Sequence, residues 1–413
     1  MKPPNLSHRH FHLRPPVTET ISTPSITMLK FNTWPNTTPT LTLFNLKCLT
    51  SPQPSPSPSP SSVHFDSTPF LFQVSYLINN FNFSPESASK LCSTNRLYFK
   101  TAQNPDSVIN FFRNYGFSNS QLCDIITRSP WLLSCSLSKR VLPKFEFLLS
   151  KGASNSDIVN LVSKNSRVLA PSLENHIVPT YELLYRFLQS DKEVIAYAIH
   201  TPDLLTHRLV PGNITMLVQN GVSDSNIRRI LRIRSRSMDA RDMGGLVQEL
   251  TDLGFNPSKY VFAVALIAKT SVPKTRWKEK VDAFKNWGWS DEDVIEAFKK
   301  QPYCMLTSIE KINLVMDFWV NQLGWDAMAL AKQPNVLCFS FEKRIIPRAS
   351  VMQFLLMNGL RNKNVSLTSP FVPPEKVFRD RFIKRFENES SYLLNLYEEK
   401  LKLAYTGDEN CVS

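Results

Sequence analysis

The stretch "NWGWSDEDVIEAFKKQP", residues 286–302, sets three acids, Asp291, Glu292 and Asp293, between a pair of tryptophans and a helical run. Alone, it reads either as a metal or catalytic cluster or as the start of a helix. Recurrence decides between the two. "YGFSNSQL", "KGASNSDI", "FLQSDKEV", "NGVSDSNI", "LGFNPSKY", "WGWSDEDV" and "LGWDAMAL" repeat the arrangement, with their second residue at 116, 152, 188, 221, 254, 288 and 324. A period of about 35 residues is the mark of a solenoid, whose units bury their apolar faces only against neighbours.

Two residues after each anchor stands Ser118, Ser154, Ser190, Ser223, Asn256, Ser290 or Asp326, a side chain able to accept a backbone N–H at a helix start. Gln121, Asp157, Glu193, Asn226 and Asp293 follow at capping-box spacing, and Pro257 is expected at the first helical position after Asn256. Phe117, Val222, Phe255, Trp289 and Trp325 before the cap pair with Leu122, Ile227, Tyr260, Val294 and Leu330 after it as hydrophobic staples. Glycine at the anchor ends the previous helix in a left-handed conformation, so Leu188 predicts a differently shaped join. "SDED" is therefore a helix start with acid in its first turn.

Each first helix is expected to stop before Pro130, Pro202, Pro302 or Pro334, and a second helix to open at Pro143, Pro179, Pro211 or Pro347. Arg167 stands about where the first proline of its unit belongs, one residue late, and the units at 221 and 254 lack the proline-bounded turn. The expected fold is all-α, a right-handed-type helical-repeat solenoid (superhelix), each unit two helices plus a short Pro-bounded turn. Domain boundaries are placed at 1–65 (transit peptide and Pro/Ser-rich linker), 66–365 (solenoid) and 366–413 (capping helices and tail).

This order of motifs resembles the mitochondrial transcription termination factor family, especially its expanded plant branch. "PDSVINFFRNYGFSNSQLCDIITRSPWLLSCSLSKRVLPKFEFLLSKG", residues 105–152, is similar to that branch's opening repeat, and "EKVFRDRFIKRFENESSYLLNLYEEK", residues 375–400, to its C-terminal segment. The resemblance spans roughly residues 74–400. It implies an all-α superhelix, nucleic-acid binding in organelle gene expression, and no catalysis.

Equivalent residues of successive units stack into stripes, so position outweighs net charge. Three residues before the second-helix proline stand Arg140, His176, Arg208 and Arg344, with Lys139, His207 and Lys343 beside three of them. A phosphate would suit cations at a helix N-terminus; a solvated turn is the plainer alternative. "NIRRILRIRSRSMDAR", residues 226–241, has six arginines against one acid. Helical spacing puts Ile227, Ile230 and Leu231 on one face and gathers Arg228, Arg229, Arg232 and Arg236 opposite, which suits phosphate contact, with a solvated or interface face as the alternative. "VPKTRWKEK", residues 272–280, adds Lys274, Arg276, Lys278 and Lys280 around Trp277, which either stacks on a base or fills the core. The expected nucleic-acid-binding residues are Arg228, Arg229, Arg232, Arg236, Arg140, Arg208, Lys274, Arg276, Lys278, Lys343 and Arg344.

Composition sets the remaining expectations. The 413 residues carry a net charge of +13. Residues 1–65 hold five Lys/Arg and one acid amid many hydroxyls, and "SPQPSPSPSPSS" at 51–62 reads as an extended linker. An organelle address follows, mitochondrial with chloroplast as the alternative. Seven cysteines show no metal-ligand spacing, "HRHFH" at 8–12 lies in the presumed leader, and "YVFAVALIA" at 260–268 is too short to span a membrane. No catalytic set, phosphate loop or dinucleotide fingerprint can be assembled. The expectation is a non-enzymatic monomer without cofactor or metal, binding double-stranded DNA or organellar RNA, alone or with other organelle expression factors. A protein-interaction scaffold is the alternative function, and a pentatricopeptide array a less fitting repeat type.

Overall fold

The computed structural model describes residues 71–362 and 365–409, with side chains to residue 402. The expected leader, linker and "HRHFH" motif lie outside the described residues. All described residues belong to one unit, residues 65–413, and are helical or loop, with no strand among them. They form a helical-repeat solenoid.

The glycine joins set its rhythm. Gly116, Gly152, Gly221, Gly254, Gly288 and Gly324 all have φ between 68° and 99°, the region L-residues avoid. At the first, the Phe117 N–H reaches back to the Phe112 carbonyl (3.2 Å) and Gly116 to Arg113 (2.9 Å), closing the helix Gln103–Asn114. Leu188 does change the join. The helix Val178–Leu188 takes in the anchor residue, and Gln189 (φ 59°) holds the left-handed position.

Helix starts follow the expected chemistry where serine caps. Ser118 with Gln121, Ser154 with Asp157 and Ser290 with Asp293 form complete capping boxes. Ser190 and Ser223 accept only the N–H of Glu193 and Asn226. Asn256 departs from expectation: its side chain accepts from Ser258 N (2.9 Å) in a turn, and the helix begins at Tyr260. The cause lies in the preceding unit. The Asn226 amide donates to the carbonyls of Pro257 and Lys259 (both 3.0 Å), which a helix opening at Pro257 would need for its own ladder. Tyr260, expected in a staple, is consequently 45% exposed, whereas Phe117, Val222, Phe255, Trp289 and Trp325 are buried.

Behind the caps, Leu122/Ile125/Ile126, Ile158/Leu161/Val162, Ile227/Ile230/Leu231 and Val294/Ala297/Phe298 repeat one buried i, i+3, i+4 triplet. These side chains meet between neighbouring first helices: Asn119–Arg128 on Asn155–Lys164, that on Asp191–His200, and Asp291–Lys300 on Met328–Lys332. Burying one such aliphatic side chain contributes about 1.5–3 kcal/mol.

Six first helices pass into a tight turn: Pro130–Ser134, Ser166–Leu169, Asp203–Thr206, Ser235–Asp239, Pro302–Leu306 and Pro334–Cys338. Ser166 and Ser235 occupy the proline position, so Arg167 is out of register because Ser166 fills the place. The unit at 221 has its turn without proline. Hydroxyl pairs link such turns to their neighbours, Ser129–Ser166 (2.8 Å), Thr201–Ser235 (2.8 Å) and Ser237–Thr270 (2.7 Å). The unit at 254 has no such turn; Tyr260–Ser271 passes through Val272 and Pro273 into Lys274–Lys285.

The second helices start earlier than expected. Helical turns open at Ser136, Ser172 and Ser340, several residues before the proline. In two of them the turn is widened, with Ile177 N bonding to Ser172 O and Ile345 N to Ser340 O (3.0 Å each). A proline ring crowds the carbonyl four residues back, and a turn bonded five residues back relieves it. Arg140, His176 and Arg344 thus sit inside the second helix's opening turns, while Arg208 is the cap residue before Leu209–Gln219.

Two repeats fall outside the glycine pattern. Asn82 (φ 56°), 34 residues before Gly116, precedes the cap Ser84 and the helix Pro85–Asn95. Gly359 (φ 68°), 35 residues after Gly324, leads, with no first helix among the described residues, to the turn Ser369–Phe371 and the helical segments Glu375–Arg379 and Asp380–Lys384. Phe378 is fully buried there and stacks on Phe382 at 5.3 Å, so this segment covers the last unit's core. The helix Ser390–Glu409 packs on Ile346–Met357.

Candidate nucleic-acid interface

In this connectivity, first helices end and second helices begin at one edge of the array, and the glycine joins lie at the other. The turn edge is held by a recurring clamp from second helix to the following turn. Asn104 donates to the carbonyls of Leu133 (2.9 Å) and Cys135 (3.2 Å), and Asn213 to those of Met238 (2.9 Å) and Ala240 (2.8 Å). Lys280 does the same to Thr307, and Arg348 to Pro370, Phe371 (3.1 Å each) and Pro373 (2.7 Å). Turn carbonyls have no ladder partner, so a long donor satisfies them. Burial first and Arg276 second push the Lys280 ammonium below its ordinary range; Lys144, on the Arg140 carbonyl (2.6 Å), is lowered by burial and by Arg140. Lys280, read from sequence as one of the cations around Trp277, is 4% exposed and is a clamp.

The arginine face of the helix Asp224–Arg234 looks onto its neighbours. Arg228 Nε donates to the Phe187 carbonyl, at the join where Gln189 replaces glycine. Arg232 forms a two-pronged pair with Glu193 (2.8 and 3.0 Å). Arg229 lies over the Tyr260 ring at 4.3 Å. Arg236 is exposed and makes no ion pair or hydrogen bond among the described residues. Arg234, not singled out by sequence, is lowered by burial and then by the charge of Arg236; two crowded guanidiniums favour an incoming anion.

Further along the edge, Arg140 is exposed over the Trp131 ring (5.0 Å), and Arg208 is exposed. Lys274 and Lys278 are exposed on the helix Lys274–Lys285, and Arg276 pairs with Glu279 (2.6 Å) and Glu310 (3.5 Å). Trp277 is half-buried, edge-on to Phe298 at 5.1 Å, with Lys269 Nζ 3.8 Å from its ring. It packs against the core with part of its ring open. Lys343 is exposed. Arg344 is half-buried: it donates to Phe371 (3.0 Å), Val372 and Pro373 (2.8 Å each), and burial, then Arg348, bring it down to about 10. His176 buries an unpartnered Nε2.

A second basic series lies on the same edge. Arg128, Lys164, His200, Lys300 and Lys332 are each the last residue of their first helix, immediately before its C-terminal cap, where a cation also favours the helix dipole. Only the superposition of caps reveals it. Arg128 also reaches the Lys164 carbonyl (2.8 Å) of the next unit.

Among the described residues, no group of three or more His, Cys, Asp or Glu could hold a metal, and no helix is long and apolar enough to cross a membrane. In the opening stretch, Asp293 serves Ser290, while Asp291 pairs with Lys285 (2.9 Å).

Comparison with known proteins bears on the helical-repeat fold. A segment of 106 residues is 27% identical to "Transcription termination factor MTERF15, mitochondrial" of Arabidopsis thaliana, covering 26% of this chain and 24% of that protein. The chain thus matches about a quarter of that relative's length. The mTERF family model matches residues 109–261 and 248–379, which together take in the repeats from the helix Gln103–Asn114 to the Glu375–Arg379 segment. By these matches, over well more than half of its length, the chain belongs to the mTERF family.

Proposed function

We propose that this chain binds nucleic acid along its turn edge and regulates organelle gene expression, in transcription termination or regulation or in RNA processing such as intron splicing. The observation that carries the reading is the repetition of cations at equivalent turn-edge positions of successive units. Direct phosphate contact falls to Arg140, Arg208, Arg236, Lys274 and Lys278, with Lys343 beside them. Arg228, Arg229, Arg232, Arg276 and Arg344 add positive potential from positions fixed by protein partners. Phosphate contacts set affinity, and release of counterions makes it fall steeply with salt. Family membership and the relative's printed name support an organellar role, with the mitochondrion preferred over the chloroplast. The protein acts as a monomer and without catalysis, alongside other expression factors.

The test is anisotropy titration of the full chain against matched double-stranded DNA and single-stranded RNA across a salt series. A steep slope with one preferred polymer is expected. A flat slope, or binding to neither, would leave the scaffold reading in its place.

A further inference from the structure

A groove of about 260 Å³ lies between the second helices Met243–Asp252 and Lys274–Lys285 and the first helix Asp291–Lys300. Its walls are Leu253, Trp277, Val281, Ile295 and Phe298. Ile295 is 40% exposed, a large aliphatic side chain without cover. The lining runs from the turn-edge ends of these helices and of Tyr260–Ser271, where Lys269, Trp277 and Phe298 stand, to their join ends, where Glu249, Leu253, Asp291 and Ile295 stand.

The charge of this groove runs against that of the chain. Its ionic lining is Glu249, Asp291 and Lys269 in a protein of net charge +13. Lys269 is bound to Glu249 (2.6 Å), and Asp291 to Lys285 (2.9 Å). Glu249 and Asp291 are each about half exposed and keep acceptor oxygens for a further donor. The floor accepts a cation, since the Lys269 ammonium rests 3.8 Å from the Trp277 ring centre. The volume lies below the ~300–1,000 Å³ typical of small-molecule sites and suits one or two apolar side chains. A tryptophan beside an exposed aliphatic is the composition of an interface hot spot.

We propose that this groove docks a short amphipathic segment of another protein, carrying one large apolar anchor flanked by lysine or arginine. The anchor fills the space between Trp277 and Ile295, and the flanking cations meet Glu249 and Asp291.

The experiment uses the full chain with p-benzoylphenylalanine in place of Ile295, photo-cross-linked in organelle extract, followed by mass spectrometry of the adduct. The captured segment is then synthesised and titrated by anisotropy. The expected segment has an apolar anchor with Lys or Arg beside it. Its binding falls about tenfold in Ile295→Asp and less in the milder Asp291→Asn. Nucleic-acid titration and thermal unfolding of both variants stay as in the parent, which separates this site from the turn edge and from misfolding. A cross-link to nucleic acid, to a second copy of the chain or to an acidic segment overturns the proposal. So does the absence of any adduct, or a peptide whose affinity ignores both substitutions.

Discussion

Arg228 and Arg236 stand on the same arginine-rich stretch, yet their surroundings give them opposite roles. Arg228 donates to the Phe187 carbonyl near the C-terminus of Val178–Leu188, where Gln189 rather than glycine takes the left-handed turn. Arg228→Met keeps an aliphatic stem and removes the donor. A hydrogen bond to a charged group contributes about 1.5–3 kcal/mol; water partly replaces it at this half-buried site, leaving a loss of about 1–2 kcal/mol. Arg236 is exposed, so Arg236→Gln changes stability by less than about 0.5 kcal/mol. In a salt titration the order reverses. Losing one phosphate contact flattens the slope of log K against log salt by about 0.9 on duplex DNA or about 0.7 on a single strand. Arg236→Gln should show that change and Arg228→Met should not. Urea unfolding with anisotropy on both variants reads the pair. A neutral Arg228→Met that flattens the slope as much as Arg236→Gln would refute the assignment.

Three further outcomes follow from the fold. Gly288 has φ 87° with nothing within 4 Å of an added Cβ, so Gly288→Ala costs only backbone strain, about 1 kcal/mol; hydrogen exchange should rise in the flanking helices. Arg348 is 1% exposed and holds three carbonyls and Glu375, so Arg348→Met should destabilise by about 3–5 kcal/mol and expose residues 369–402 to protease first. Burial pulls the Glu375 carboxyl up, but hydrogen bonds from Arg379, Tyr397 and Arg348 outweigh it and hold it below its ordinary value. A depressed carboxylate stabilises the fold above its unfolded pKa of about 4.3 and loses that contribution as pH falls through the folded value. Acid should therefore loosen the C-terminal helix, and Glu375→Gln should make that loosening independent of pH in this range.

Much of the architecture was legible in the sequence because it rests on local chemistry. Ser118, Ser154 and Ser290 announce helix starts that need only the next three residues, and the glycines mark a backbone conformation few other residues accept. What was hidden was non-local. Asn82 escaped because asparagine serves the left-handed position without glycine's signature. The late start at Tyr260 depends on Asn226, more than thirty residues earlier. The arginine face was correctly separated from the apolar one, but nothing in the spacing says that Glu193 or the Phe187 carbonyl meets it. Likewise Lys280 and Arg348 look like any surface cation until the next unit's turn is folded over them. The stripe Arg128, Lys164, His200, Lys300, Lys332 needs the caps superposed before its register is visible.

The central claim is that cations on the turn edge hold nucleic acid. Its most direct test is the salt slope of the full chain against a variant with Arg140, Arg208, Arg236, Lys274 and Lys278 all changed to glutamine. If these five contact phosphate, the slope should flatten by about 4.5 on duplex DNA, with thermal unfolding little changed. An unchanged slope in a folded variant would contradict the claim and place the contacts on another surface.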